Sequence, residues 1–414
     1  MSPTHAARVA MSPMVVVWML VLLLGIQPVT TDLYLPALPT LQHDLGATVS
    51  AAQLTLSALI VCFGLAQLVC GPLSDRFGRR PVLLVGMALF TVASVLAALA
   101  PDITTLIAAR ALQGAAMAAA VTCGRSMVRD LYEPQDGARV MSKALGGLGV
   151  IALASPLLGG VLVQWLNWHV ALGVLAVFGA GTLAFVASRF EETVTQLNPD
   201  ATRLAPLLAN WRQIARHPTF VAYALLLSAT YGGLFVMLAA SAYVYIEVLG
   251  LSRLGCGAVL ASTSAAYIVG TVLCRRLLVR RGLRRTVAIG GAISLTGGLG
   301  MAALSLAGLH EWSVWTLIAP QWLYAIGHAV HQPCGQVGVI GPFRDKAGTA
   351  ASLSGFFMML TAFFVGLWLG RSLDGTVYPL TLGVATFSVV IAAAAWTLVQ
   401  RHGDPRPVVA VQPA

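Results

Sequence analysis

The sequence predicts an all-α integral membrane protein with twelve transmembrane helices, arranged as two six-helix bundles around a central cavity. Three observations point to this fold. Of the 414 residues, 58% are hydrophobic and only 10% are charged, and the mean hydropathy is +0.83, unlike a soluble domain. Apolar runs of membrane-spanning length recur along the whole chain. One long polar connection divides these runs into two sets of six.

The apolar runs give the order of the predicted spans. A transmembrane helix needs about 20 consecutive apolar residues, and each run is near or above that length. The first run could be mistaken for a signal peptide, but it is too long and ends at Pro36 and Pro39 instead of a small-residue cleavage site. The twelve predicted spans are residues 15–38, 51–73, 82–100, 103–125, 139–163, 168–188, 218–247, 254–279, 286–308, 313–340, 347–373 and 378–400.

The polar connection is the predicted linker between two halves. A basic cluster with a glycine follows span 2 at residues 76–80, and a similar cluster follows span 8 at residues 280–284. Parallel six-helix repeats with a central site are a transporter architecture. The predicted parts are an N-terminal bundle, a cytoplasmic linker, a C-terminal bundle and a cytoplasmic tail: residues 1–188, 189–217, 218–400 and 401–414.

Positive charge follows membrane topology. The chain has a formal net charge of +10, and its Lys and Arg residues cluster in both termini and in the loops after spans 2, 4, 6, 8 and 10. An excess of this kind marks the cytoplasmic face. Both termini are therefore predicted to be cytoplasmic, and the charge does not indicate a nucleic-acid partner.

Two ionisable residues are assigned to the interior of spans in the N-terminal half. Asp32 is the single acidic residue within an apolar segment, and Arg110 is the single basic residue placed inside a span. Charges at membrane depth are costly and mark functional sites. We expect Asp32 near the outer end of span 1, with Arg110 as its neighbour. Alternatively, Arg110 reaches a surface or pairs with backbone carbonyls and serves stability alone.

The loop predicted after span 2, residues 71–81, reads Gly-Pro-Leu-Ser-Asp-Arg-Phe-Gly-Arg-Arg-Pro. It resembles, position for position, the G-x-x-x-D-R-x-G-R-R signature of the major facilitator superfamily. The resemblance implies that Asp75 latches the halves together by facing the start of span 11, near residues 346–349, where a helix N-terminus favours an anion. The gate residues are then Gly71, Asp75, Arg76, Gly78, Arg79 and Arg80.

Two further motifs extend the resemblance. Arg110 with the following Gln-Gly pair at residues 113–114 resembles the second signature of that superfamily. Span 5 carries Ser-Pro-Leu-Leu-Gly-Gly at residues 155–160, which resembles the Gly-Pro-x-x-Gly-Gly signature of antiporters, with Ser155 in place of the usual Gly. Small residues let helices approach and Pro supplies a bend. The antiporter residues of span 5 are Pro156, Gly159 and Gly160.

With the Asp-x-Tyr-x-Pro-x-x-Pro ending of span 1, the closest resemblance is to the Bcr/CflA group of bacterial multidrug efflux proteins. It implies a secondary active exporter of drug-like molecules, working by proton antiport and alternating access in the bacterial inner membrane, as a monomer among membrane lipids. The alternative within the same fold is a proton-coupled symporter or an exporter of a metabolite. Asp32 and Arg110 are the predicted proton-coupling residues.

Other functions find less support in the sequence. No G-x-x-x-x-G-K-[ST] phosphate loop occurs, so the predicted energy source is the proton gradient, with no cofactor and no metal. Ser, Cys and His residues are scattered without catalytic spacing, so an enzyme is not predicted. Aromatic and Met side chains suit an adaptable apolar pocket, although such groups also pack helix cores. The substrate-cavity candidates are Tyr34, Gln113, Met117, Tyr231, Phe235, Tyr324 and His328.

Overall fold

The computed structural model describes residues 11–132, 134–194, 196–311, 313–343 and 346–403. These residues form helices joined by short connections, and no strand occurs among them. Residues 404–414, most of the predicted tail, lie outside the described part, as do residues 1–10 of the predicted N-terminal bundle.

The N-terminal half contains six spans. Span 1 is made of α1 (Pro13–Asp32), a 3-10 turn (Leu35–Ala37) and α2 (Leu38–Asp44), which follow one another through the membrane as one segment. The other five spans are α3 (Val49–Phe77), α4 (Arg79–Ala98), α5 (Ile103–Leu131), α6 (Pro134–Trp165) and α7 (Trp168–Arg189).

The C-terminal half follows a linker that contains one helix, α8 (Leu204–Ala215). Its helices are α9 (Pro218–Ala242, extended by a π-helical turn to Val248), α10 (Arg253–Leu306), α11 (Trp315–Ile340), α12 (Ala347–Ser372) and α13 (Tyr378–Ala393, extended by a π-helical turn to a last helix α14, Val399–His402).

Ten helical segments of the described residues are long and apolar enough to cross a membrane. One of them, α10, has 54 residues and contains two spans that meet at Gly282, where φ is +72°. The 26-residue α11 is not among the ten, since its Gln and His residues make it more polar, but it packs within the same bundle. The described part of the chain therefore contains twelve spans, and the predicted fold class is confirmed.

Two ends of the bundle can be distinguished. The linker end carries Gly78, the linker and both described chain ends, and the distal end carries the turns before α3, α5, α7 and α10. Each of these four helices begins with a local N-cap whose side-chain oxygen accepts a backbone N–H bond. The caps are Thr48, Asp102, Asn167 and Ser252.

The two halves meet closely toward the distal end. There α3 packs on α12 and α6 packs on α10. A Cβ placed on Gly160 would lie 2.7 Å from the Arg253 carbonyl oxygen, so these backbones are in direct contact. Toward the linker end α6 and α10 separate, because a Cβ on Gly149 would have only Ile268 within 4 Å and one on Gly146 would meet nothing. A cavity of about 570 Å³ opens at the linker end.

Candidate functional site

Asp32 lies at a break in the first span. Pro36 has no N–H to donate, so the Asp32 carbonyl loses its helical i→i+4 partner, and α1 stops at this residue. The chain then turns and resumes as α2 down to Asp44. Asp32 is therefore the last residue of α1, as expected of a helix end, but the candidate span continues for twelve more residues to Asp44. Pro36 and Pro39 begin new helical turns, where Pro is tolerated.

The Asp32 carboxylate faces the junction of the two halves. Thr31 Oγ1 donates to Asp32 Oδ1 at 2.7 Å and orients it. Tyr231 of α9 interacts electrostatically with the carboxylate, and its side chain forms a hydrogen bond with the side chain of Gln27 on α1. Asp32, Gln27 and Tyr231 all keep part of their surface accessible, whereas Thr30 and Leu33 are buried. Gln27 was not predicted, and only its place five residues before Asp32 could have indicated it.

Arg110 does not pair with Asp32. Its guanidinium is fully buried, donates from Nη1 to Gln113 Oε1 at 2.6 Å and from Nη2 to the Thr30 carbonyl at 3.1 Å, and lies 4.2 Å from the centre of the Tyr34 ring. Among the described residues no carboxylate oxygen lies within 4 Å of it. The Thr30 carbonyl is one that the end of α1 leaves without a helical partner. Arg110 therefore supports the bend at which Asp32 lies. As in the second of the two alternatives, it pairs with a backbone carbonyl.

The glycines of span 5 let two helices approach this bend. A Cβ on Gly159 would overlap the Leu33 carbonyl, next to Asp32 in the chain. The neighbouring Gly160 contacts the backbone of α10, and a Cβ on Gly257 of α10 would lie 2.6 Å from the Pro156 carbonyl oxygen. These residues thus join α1, α6 and α10 where the two halves meet.

The gate residues lie together at the linker end. The prediction of a loop over residues 71–81 is wrong, because all of this segment except Gly78 is helical: α3 ends at Phe77 and α4 begins at Arg79. Gly78 makes the turn with φ of +97°, a conformation that favours glycine. The same device occurs at Gly282, in the second basic cluster.

Arg79 is the centre of a network of charged and polar side chains. Its buried guanidinium bonds Asp75 Oδ1 at 2.6 Å, Asp130 Oδ2 at 3.1 Å and Ser74 Oγ. The other two arginines bind different parts of the same half and linker: Arg76 donates to Thr202, and Arg80 donates to the Ala187 carbonyl. Gly71 lies beside open space, since a Cβ placed on it would have only a methyl carbon of Thr122 within 4 Å, at 3.9 Å.

Glu192 of the linker was not predicted as a site residue. Its carboxylate accepts the backbone N–H groups of Arg79 and Arg80 at 2.9 and 3.0 Å, and so caps the start of α4 from 113 residues away. It also accepts the N–H groups of Thr193 and Val194. Burial would raise the pKa of Glu192, but these four backbone donors outweigh it and leave the pKa below its usual value.

Asp75 does not touch the start of α12. Its carboxylate is held by Arg79 inside its own half, and Lys346 donates instead to Gln213 of α8 at 2.8 Å. Asp75, Lys346, Gly348 and Thr349 all line the cavity of about 570 Å³. The predicted contact between Asp75 and the start of α12 is therefore not formed in this structure. The side chain that approaches this helix start from the N-terminal half is Arg129, since a Cβ placed on Gly348 would lie 3.2 Å from its Nη1.

Most substrate-cavity candidates lie in packed helix cores. The exception is Tyr231, which remains partly accessible beside Asp32. The polar ones are occupied by hydrogen bonds inside the protein, and the apolar ones are enclosed by neighbouring helices. The buried candidates are Tyr34, bonded to Thr55; Gln113, bonded to Arg110 and Ser94; Tyr324, bonded to the Thr230 carbonyl; His328, next to Thr230; and Met117 and Phe235.

Two further arginines inside α5 were missed, Arg125 and Arg129. The helix continues beyond residue 125, the end of the predicted fourth span, to Leu131, so both belong to it. Both side chains are exposed and line the cavity at the linker end. Arg110 is thus not the single basic residue within a span.

Comparisons with known proteins agree with this architecture. A sequence profile of the Major Facilitator Superfamily matches residues 20–366. The chain belongs to this superfamily. It is 31% identical over 345 residues to multidrug resistance protein D of Escherichia coli K12, a match that covers 81% of this chain and 84% of that protein. It is also 31% identical over 329 residues to a chloramphenicol resistance protein of Pseudomonas aeruginosa, covering 78% and 75%.

The fold of this superfamily member has solved counterparts. The crystal structure of a D-xylose–proton symporter superposes with a TM-score of 0.70 at 17% identity, over 95% of this chain and 99% of that one. The resemblance to Bcr/CflA-type drug efflux proteins is confirmed by the relatives. The chain is a multi-pass membrane transporter for small molecules and not an enzyme.

Proposed function

We propose that this chain exports small drug-like molecules from the bacterial cytoplasm in exchange for protons, by alternating access across the inner membrane and as a monomer. The observation that carries the proposal is Asp32. It is a carboxylate midway along span 1, partly accessible, at the junction of the two halves, with no basic partner among the described residues. Isolated carboxylates at membrane depth mark proton and ion pathways.

Drug-like cargo is supported by the names of the relatives, a multidrug resistance protein and a chloramphenicol resistance protein. Orientation is supported by the distribution of charge, since Lys and Arg concentrate at the linker end. With that end cytoplasmic, the structure is closed toward the outside and has its cavity on the inside. Both termini are then cytoplasmic.

In the proposed exchange of drug for proton, Asp32, Tyr231 and Arg110 have separate roles. When the halves separate at the distal end, Asp32 takes a proton from the outside. When they close there and part at the linker end, cargo approaches the junction beside Tyr231, and Asp32 releases its proton inward. Arg110 keeps the bend of α1 in place through the Thr30 carbonyl, so the carboxylate stays directed at the junction.

A drug-susceptibility panel in an efflux-deficient bacterium would identify the exported drugs, and transport in proteoliposomes would test the coupling of drug export to proton movement. With an imposed pH gradient, we expect the wild-type protein to accumulate the drug on the side from which protons come. Asp32→Asn should lose this accumulation while keeping gradient-independent exchange of labelled for unlabelled drug. Asp32→Glu, which keeps a carboxylate, should retain part of it.

The same assay separates the competing transport modes. Accumulation on the side toward which protons move would indicate symport instead of antiport. Full pH-driven accumulation by Asp32→Asn would show that Asp32 does not carry the coupled proton.

A further inference from the structure

The cavity at the linker end has a chemistry that proton coupling at Asp32 does not use. Its volume of about 570 Å³ is in the range that holds a drug-sized molecule. Its walls come from α3, α5, the linker with α8, and the start of α12. It is well separated from the Asp32 region, because Arg125 on its wall is 15 residues from Arg110, about 22 Å along α5.

Among the described residues, the lining of this cavity has an excess of positive charge. Its two described acidic side chains are already engaged by arginines: Asp75 bonds Arg79 at 2.6 Å, and Asp200 bonds Arg203 at 3.0 Å. The four basic side chains of the described lining are Arg125, Arg129, Arg203 and Lys346.

Arg125 is the cation best placed to receive a ligand. It is exposed to the cavity, and among the described residues no carboxylate oxygen lies within 4 Å of its guanidinium. Arg129 is one helical turn away on the same face of α5. Lys346, the residue before α12 in the other half, also lines the cavity, and the one described bond of its side chain is to the neutral Gln213 side chain.

The rest of the wall is partly apolar. Leu68 and Pro72 of α3 and Leu207 and Trp211 of the linker helix line the cavity together with the basic groups. A ligand that matches this lining has an apolar body and one negatively charged group. A guanidinium pairs well with carboxylate, sulfonate or phosphate oxygens, because its N–H groups form a planar fork.

We propose that this cavity binds drug-sized amphipathic anions, and that it is where export cargo of this class first docks. The second part rests on the proposed function. Arg125 and Lys346 carry like charges on opposite halves and oppose closure of the linker end. A bound anion between them neutralises this repulsion, so the halves can close behind the cargo. An anionic lipid headgroup offers the same chemistry to the same arginine.

The test is equilibrium binding without a pH gradient, on the full chain in nanodiscs of zwitterionic phosphatidylcholine. The probes are 2-naphthoate and its neutral counterpart 2-naphthamide. We expect naphthoate to bind at least tenfold more tightly than naphthamide. Arg125→Gln should weaken naphthoate binding at least fivefold and leave naphthamide unchanged, while Arg125→Lys, which keeps the charge, should retain most of the affinity. Arg212→Gln is the control, because that arginine is exposed on the linker helix and does not line the cavity.

A second arm identifies the source of the anion. If phosphatidylglycerol added to the nanodiscs competes with naphthoate, and Arg125→Gln removes the competition, the anion site is supported and lipid headgroups share it. Equal affinities for naphthoate and naphthamide, or naphthoate binding that survives Arg125→Gln unchanged, would overturn the proposal. Asp32→Asn should leave this binding intact, so failure of proton exchange and failure of the anion site are separate results.

Discussion

The distal end and the linker end of this transporter are held together by different forces. At the distal end, the halves touch backbone to backbone through glycines such as Gly160, and helix starts are capped by their own nearby side chains. At the linker end, the contacts are charged and distant in sequence: Arg79 binds Asp130, and Glu192 caps α4. The distal end therefore depends on shape, and the linker end depends on charge.

This difference has consequences for how each end responds to substitution. Two helix backbones that touch at a glycine must separate when the glycine is replaced by a residue with a side chain, because a backbone cannot change rotamer to make room. Ionic contacts weaken gradually with salt or with pH, and they can re-form with other partners. Substitutions at the two ends should therefore differ in size and in their response to solution conditions.

The largest effect is expected from Gly160→Val. A Cβ at this position would lie 2.7 Å from the Arg253 carbonyl oxygen and 3.2 Å from Leu254 Cα, so α6 and α10 must move apart. The distal end then cannot close, and we expect drug export to fall at least tenfold, with a smaller loss for Gly160→Ala. Drug transport in proteoliposomes measures both losses.

The control is Gly146→Val on the same helix, where a Cβ meets nothing within 4 Å. It carries the same helix-propensity change without the contact. If both variants lose transport equally, α6 is sensitive to any branched residue, and the distal contact is not the cause.

The contrast between the ends also explains what the sequence could predict. The twelve spans follow from apolar runs, because lipid imposes length and composition on each helix separately. The continuation of span 1 beyond Asp32 as α2 was not predicted, since Pro36 and Pro39 indicate a helix end equally well whether the chain leaves the membrane or resumes as a helix.

The hydrogen-bond partners of Arg110 and Glu192 were harder to predict. A buried Arg110 must find hydrogen-bond acceptors, but the sequence does not say whether these are a carboxylate or the Thr30 carbonyl, which becomes available only when α1 breaks. Glu192 acts on residues 113 positions earlier, so no local pattern marks it. The spans and the short motifs were therefore predictable from the sequence, whereas contacts between residues far apart in the chain were not.

An intermediate effect is expected from Glu192→Gln. Capping α4 with a carboxylate contributes about 1 kcal/mol to stability, and the variant keeps the shape but loses the charge. Because the pKa of Glu192 is lowered in the folded state, its stabilisation is complete above the usual value of 4.5 and is lost as the pH falls through the lowered value. Thermal unfolding in detergent should show a lower midpoint for the variant at pH 7, and this difference should shrink toward pH 3.

Glu191→Gln is the matched control, since Glu191 is the preceding residue, is exposed, and has no described hydrogen bond or ion pair. An equal loss in both variants at pH 7 would assign the effect to the general charge of the linker. A difference from wild type that persists unchanged at pH 3 would also contradict the capping role.

The smallest effect is expected from Arg253→Ala, which removes a side-chain hydrogen bond between the two halves at the distal end. Arg253 Nε donates to Thr40 Oγ1 at 2.8 Å and so joins α10 to the end of span 1. Arg253 is partly exposed, so the bond contributes at most about 1 kcal/mol, a change of about fivefold in the balance between closed and open distal ends. Pulsed EPR distances between spin labels at Leu166 and Ser313 would report that balance. A shift as large as that produced by Gly160→Val would mean that the distal end is held by this polar bond and not by shape.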